Sequence, residues 1–178
     1  YFDKFKVDSY EDDRSVLHVT YSADLGNFPY TWTQTHVTCT LYADGSFTVI
    51  GTGAMDDPES HEASYEDPGT GEIIHYTAWD HQKWYNFKHY IQTVTVGEGV
   101  TSISKLAFEQ SNLSSVSLPS TLTLIDDNAF SYCAQLTAIN IPAAVTTIGE
   151  GAFAATGIAN VTIPSGVTAI ADETFSGC

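Results

Sequence analysis

Four phenylalanines, Phe108, Phe130, Phe153 and Phe175, stand 22, 23 and 22 residues apart, and a chain spaced like that has few ways to fold. The interval recurs for Ile103, Ile125, Ile148 and Ile170, for Val100, Leu122, Val145 and Val167, and for Pro119, Pro142 and Pro164, with Gly97 where the first proline would stand. Self-similarity at a period of roughly 20 to 50 residues denotes stacked supersecondary units, each too small to bury its own apolar face.

The third copy shows how one unit is built. Ile139-Asn140-Ile141-Pro142 is followed by Val145-Thr146-Thr147-Ile148, then Ala152-Phe153, and the unit closes at Ile158. In the first segment Val94 and Val96, Val116 and Leu118, Ile139 and Ile141, and Val161 and Ile163 alternate inward, while Thr95, Ser117, Asn140 and Thr162 point outward. The proline that follows has no N–H for a ladder, so it ends the extended run and turns the chain. A single unit does not offset the entropy of ordering its own backbone, so the copies need one another and need covers at their ends.

Twenty-two acidic against six basic side chains give the 178 residues a net charge of -16, a field that repels nucleic acid and anionic membrane surfaces. No run of apolar residues is long enough to span a bilayer, and no basic-then-apolar signal opens the chain. It starts abruptly at Tyr1 and stops inside a repeat at Cys178, as a piece of a longer, multidomain chain would. Cys39, Cys133 and Cys178 form no CxxC pair. Cys133 and Cys178 share one phase two repeats apart, so about 10 Å separates them at roughly 4.8 Å per coil, beyond the ~7 Å reach of a disulfide. All three read as buried small apolar residues.

The front half alternates differently. A strand up to Tyr10, an acidic turn at Glu11-Asp12-Asp13, and strands over residues 15–21, with His18 on the solvent side, and 30–33 are predicted. Residues 37–50 hold two alternating runs joined at Asp44-Gly45, a hairpin with Val37, Cys39, Leu41, Phe47 and Val49 inward. Residues 55–82, rich in Asp, Glu and His and broken by Pro58, Pro68, Gly69 and Gly71, read as a long acidic loop. All three tryptophans and nine of the ten tyrosines precede Ile91, so this half is the expected lid. The fold expected is mainly β, with an N-terminal β cap over residues 1–91 and repeats over 92–113, 114–136, 137–158 and a truncated 159–178.

These residues resemble the BspA-type leucine-rich repeats, whose units read roughly as I.IP..VT.IG..AF..C..L. The run Ile139 to Pro142, Val145 to Gly149 and Ala152-Phe153 matches that pattern, and Cys133 falls at the family's cysteine position. The segments 41–55 and 84–101 are similar to those that introduce such arrays. The resemblance implies a solenoid in a secreted or surface-attached bacterial protein that binds an extracellular or host protein, often as an adhesin and without catalysis.

Chemistry is sparse. His61-Glu62-Ala63-Ser64-Tyr65 starts like a zinc-protease HExxH, but the second histidine is missing and no helix is expected there. The acids and histidines of residues 56–81 offer hard oxygen ligands for Ca²⁺ without EF-hand spacing, and the solvated loop is the favoured account. No cofactor is implied, no GxSxG appears, and Asp126-Asp127 reads as a solvated turn. Two candidate binding surfaces remain. One is the outward ladder Thr95, Ser117, Asn140 and Thr162, small and uncharged, able to pair with a protein partner but without an anchor of the Trp, Tyr or Arg kind; the other is Tyr76, Trp79, Trp84 and Tyr85, able to stack on sugar rings but preferred as the core of the lid. The alternatives to protein recognition are therefore a glycan-binding accessory module of a carbohydrate-degrading assembly and a structural spacer.

Overall fold

The computed structural model describes the main chain of residues 5–13, 16–23, 29–58, 60–66, 73–79 and 82–178, and the side chains of 29–58 and 82–178. Strands β1 (Phe5–Asp13) and β2 (Val16–Ala23) form an antiparallel pair. The acidic residues Glu11, Asp12 and Asp13, expected in a turn, belong to β1 and pair with His18, Leu17 and Val16. The predicted orientation of the His18 side chain lies outside the described residues.

Next come β3 (Tyr30–Thr33), β4 (Val37–Leu41) and β5 (Ser46–Gly51), an antiparallel run in register through Tyr30–Leu41 and Leu41–Phe47. The Asp44-Gly45 turn behaves as its chemistry dictates. Asp44 Oδ1 accepts from Ser46 N at 2.9 Å and Ser46 Oγ at 2.6 Å, and Gly45 adopts φ +83°. A Cβ on Gly45 would lie 2.7 Å from the Tyr90 carbonyl oxygen, so the hairpin tip packs tightly on the following segment.

After β6 (Gly53–Ala54) the expected long loop is a hairpin instead. Strands β7 (Ser60–Glu66) and β8 (Ile73–Trp79) pair antiparallel from Ser60–Trp79 to Glu66–Ile73. The alternation Ala63, Tyr65 against Ile74, Tyr76, Ala78 is strand patterning that the many acids obscured. The HExxH-like stretch accordingly sits on a strand. A 3-10 helix (Tyr85–Tyr90) then leads into β9 (Thr93–Val96), β10 (Val100–Ile103), β11 (Ser115–Ser117), β12 (Leu124–Ile125) and β13 (Thr147–Ile148).

Two sheets carry the repeats. One runs β11-β9-β5-β4-β3, the other β13-β12-β10-β6, with every pair among the repeats parallel. The strands before the repeats are continuous with them: β5 pairs with β9 through Phe47–Val94 and Val49–Val96, and β6 pairs with β10.

On the opposite side of each repeat the phenylalanines form one column. Phe108, Phe130, Phe153 and Phe175 follow at centroid distances of 5.7, 5.6 and 5.6 Å, stacked throughout. Trp32, Phe47, Trp84 and Phe87 cluster above it, with Phe47 5.5 Å from Phe108 and edge-on to it. The backbone around each ring is unusual. Leu106, Asn128, Gly151 and Glu173, two residues before each phenylalanine, have φ of 58, 54, 59 and 54°; Gln110, Tyr132, Ala155 and Gly177, two residues after, have 58, 58, 53 and 73°. These left-handed residues turn alternate N–H groups toward the next repeat, as in Leu106 N to Asp127 O, Phe108 N to Ala129 O and Gln110 N to Ser131 O.

At the far end, Val161, Ile163, Val167 and Phe175 are only half buried and Ile170 is exposed. Truncating the two kinds of ring therefore has unequal cost. Phe130→Ala, which removes a fully buried ring stacked on both sides, should cost about 3–5 kcal/mol, and Phe175→Ala clearly less, as read from urea unfolding midpoints.

Candidate functional site

The outward residues Thr95 and Ser117 belong to a wider array than the repeats alone suggest. Residues directly opposite one another in a sheet share a face, and the registers place Thr31, Thr40, Thr48, Thr95 and Ser117 in one row across five strands. Thr31 Oγ1 and Thr40 Oγ1 are 3.3 Å apart. Asn140 and Thr162, both exposed, continue the row in phase. A second row holds Thr33, Thr38 and Ile50, and a third holds Ser46, Thr93 and Ser115.

None of these positions is ionisable on a chain of net charge -16. Ile50, 64% exposed, is the one large apolar side chain among them. The sequence signal for the missed half of this face is the recurrence of Thr-x-Thr in 31–33, 38–40 and 93–95, with Ser-x-Ser in 115–117. The row is not local in the sequence, because parallel pairing of β5 with β9 joins residues 47 apart, as in Thr48 with Thr95.

The aromatic candidates separate. Trp84 is 1% exposed, and its Nε1 donates to Ala107 O at 2.7 Å, so it belongs to the core beneath the cap and offers no face to a sugar ring. Tyr85 is half buried under Lys88, whose Nζ lies 3.8 Å from the ring centroid and 2.6 Å from the phenolic oxygen. Tyr76 and Trp79 are on β8, and their side chains lie outside the described residues, as do most acids and histidines of the Ca²⁺ reading.

A buried amide cluster joins the cap to the first repeat. Gln82 Nε2 donates to Asp56 O at 3.0 Å and Ser104 Oγ at 2.9 Å, and Gln34 Nε2 donates to Gln82 Oε1 at 3.2 Å. These contacts tie Asp56, just before the β7–β8 excursion, to Gln82, just after it. Nearby, Asp57 Oδ1 accepts from Lys105 N, and Asp127 Oδ1 accepts from Glu150 N one repeat further on. Asp127 also pairs with Lys105 at 3.0 Å, so the Asp126-Asp127 turn is structural and not merely solvated. Burial, then the nearby carboxylates Asp57 and Asp127, raises the Asp126 carboxyl above its ordinary range.

The cysteines are free. Burial pushes the Cys39 and Cys133 thiols up to about 12, which leaves them protonated and unreactive. Cys178 departs from expectation: it is exposed, with no repeat stacked over it, although its Sγ keeps the contact to Phe153 O that Cys133 makes to Phe108 O. Among the described residues no group of His, Cys, Asp or Glu is placed to hold a metal ion.

A family model described as the BspA type leucine rich repeat region, in 6 copies, matches residues 81–178, more than half of the chain. The chain belongs to the BspA-type leucine-rich repeat family. No curated protein sequence matches it. A crystal structure of a leucine-rich repeat protein from Eubacterium ventriosum matches 80% of it at 25% identity with a TM-score of 0.55. Another from Bacteroides ovatus matches 82% at 23% identity with a TM-score of 0.50. The matches take in 40% and 38% of those proteins, so this leucine-rich repeat chain spans about two-fifths of their length.

Two substitutions probe this region. Trp84→Phe keeps most of the ring but leaves the Ala107 carbonyl without its donor, and should cost about 1–3 kcal/mol in urea unfolding. Asp126 has a folded pKa above its unfolded one, so the stability linked to its protonated form is full below the unfolded value and is lost as pH rises through the folded one. Asp126→Asn, which keeps an acceptor for Asp127 N, should raise the melting temperature at neutral pH and change little near pH ~3.

Proposed function

We propose that the chain is a non-catalytic extracellular or cell-surface recognition module that binds a protein partner, and that residues 92–178 act as a four-coil solenoid under the cap of residues 1–91. The observation that carries this reading is the uncharged threonine face with Ile50 exposed at its edge. On a strongly acidic molecule, such a face meets a partner without desolvating ions, and Ile50 adds one exposed apolar contact beside the hydroxyls. Family membership supports a recognition role. Among the described residues no helix is long and apolar enough to cross a membrane.

The glycan-binding alternative loses Trp84 to the core and rests on Tyr76, Trp79 and the half-buried Tyr85, which Lys88 covers. An array of extracellular proteins and a glycan array, screened with the wild type and with Ile50→Arg, Thr95→Arg and Trp79→Ala, separate the two. Protein ligands lost with Ile50→Arg or Thr95→Arg but kept with Trp79→Ala are expected. Glycan ligands lost only with Trp79→Ala would replace this reading with the accessory-module one.

A further inference from the structure

The parallel pairing of β9 with β11 is not continued. Beyond β11, residues 137–141 and 159–163 make no backbone–backbone hydrogen bond to another of the described residues, although on the ring side the same repeats stay bonded through Phe130 N to Ala152 O and Phe153 N to Thr174 O. The sequence gives a reason. The outward positions flanking the inward residue change from Thr93 and Thr95 to Ser115 and Ser117, then to Ala138 and Asn140, and to Asn160 and Thr162; Ala and Asn are poor strand formers. Where the ladder lapses, a cleft of about 390 Å³ opens between the third and fourth repeats, lined by Ile139, Asn140, Ile141, Asn160, Val161 and Thr162.

We propose that this cleft receives an extended peptide segment of a protein partner and recognises it through its main chain. Each asparagine amide offers a donor and an acceptor, the complement of one peptide unit. The unpaired N–H and C=O groups of the two segments supply more of both, and the half-buried Ile139 and Val161 give an apolar wall for alternate side chains. The volume falls at the lower end of the roughly 300–1,000 Å³ of ligand sites, room for a few residues rather than a folded surface. With no charged group and no aromatic ring in the lining, neither an ion nor a stacked sugar is matched. The inference rests on the recognition role proposed above and narrows it to one part of the face.

The test is a titration of the ¹⁵N-labelled 178-residue chain with the capped hexapeptide Gln-Thr-Val-Thr-Val-Gly, the sequence of residues 92–97, which the protein itself holds extended. Amide shifts confined to residues 137–141 and 159–163 are expected. They should persist when the peptide's Thr and Val become Ser and Ile, vanish when alternate peptide nitrogens are methylated, and weaken about tenfold or more in Asn140→Ala/Asn160→Ala. No shift at these amides, equal binding of the methylated peptide, or shifts produced only by a xylohexaose control would overturn the proposal. A protein ligand kept by the double variant but lost with Ile50→Arg would sink this inference alone; a ligand indifferent to both would sink the broader reading too.

Discussion

Phe130 can lie 5.7 Å from one ring and 5.6 Å from the next only because the backbone on either side of it is fixed by bonds to its neighbours. Asn128, Phe130 and Tyr132 each donate to the following repeat, at Glu150, Ala152 and Ala154. That alternation requires a left-handed residue on both sides of the ring, and L-residues resist it by roughly 1–2 kcal/mol each. Glycine occupies only Gly151 and Gly177 of those eight positions. Asn128 tolerates it, and the other five hold the conformation against their own preference, so the column and its flanking bonds support one another. Stacking buries the rings, and burial of the rings keeps the strained backbone in place.

The strip has a direction, which decides what can close it. Each repeat's N–H groups point forward on the ring side, so the first repeat presents carbonyl oxygens backward and needs donors from the cap. Side chains provide them. Trp84 Nε1 reaches Ala107 O, taking the part that Phe108 N plays toward Ala129 O in the next step. Gln82 Nε2 approaches Lys105 O at 3.5 Å, where Leu106 N meets Asp127 O one repeat on. With β5 and β6 in the two parallel ladders, the cap imitates a repeat whose chain is interrupted between Pro58 and Gln82 by the β7–β8 hairpin.

How much of this could be read from the residues follows from which interactions leave a local mark. The period of Phe108 to Phe175 is visible because burying the same ring four times demands the same letter four times. The Asp44-Gly45 hairpin is visible because positive φ selects its residues. Leu106, Tyr132 and Ala155 show no such mark, since neighbouring repeats impose their left-handed geometry against intrinsic preference. Trp84 was ambiguous for a related reason: a tryptophan that caps a ladder and one that stacks on a ligand are the same letter, and only the Ala107 carbonyl distinguishes them. The five-strand threonine row escaped because its registers link the hairpin to a distant segment through a parallel crossover.

The two sides of the repeats are thus held by different means, and they differ in how freely their residues can change. The ring side is bonded at every step and its bonds are strained into place, so altering it disturbs the whole stack. The sheet that holds the threonine row is paired as far as β11 and unpaired beyond it, although β12 and β13 still pair in the other sheet, and its outward positions vary from Thr to Ser to Asn. Outward positions are therefore free to change while the column remains constant. The threonine face also carries no charge at the named positions, so the -16 of the chain acts elsewhere. A high net charge keeps molecules apart from anionic surfaces; what the sheet face itself presents is hydroxyls, amides and the exposed Ile50.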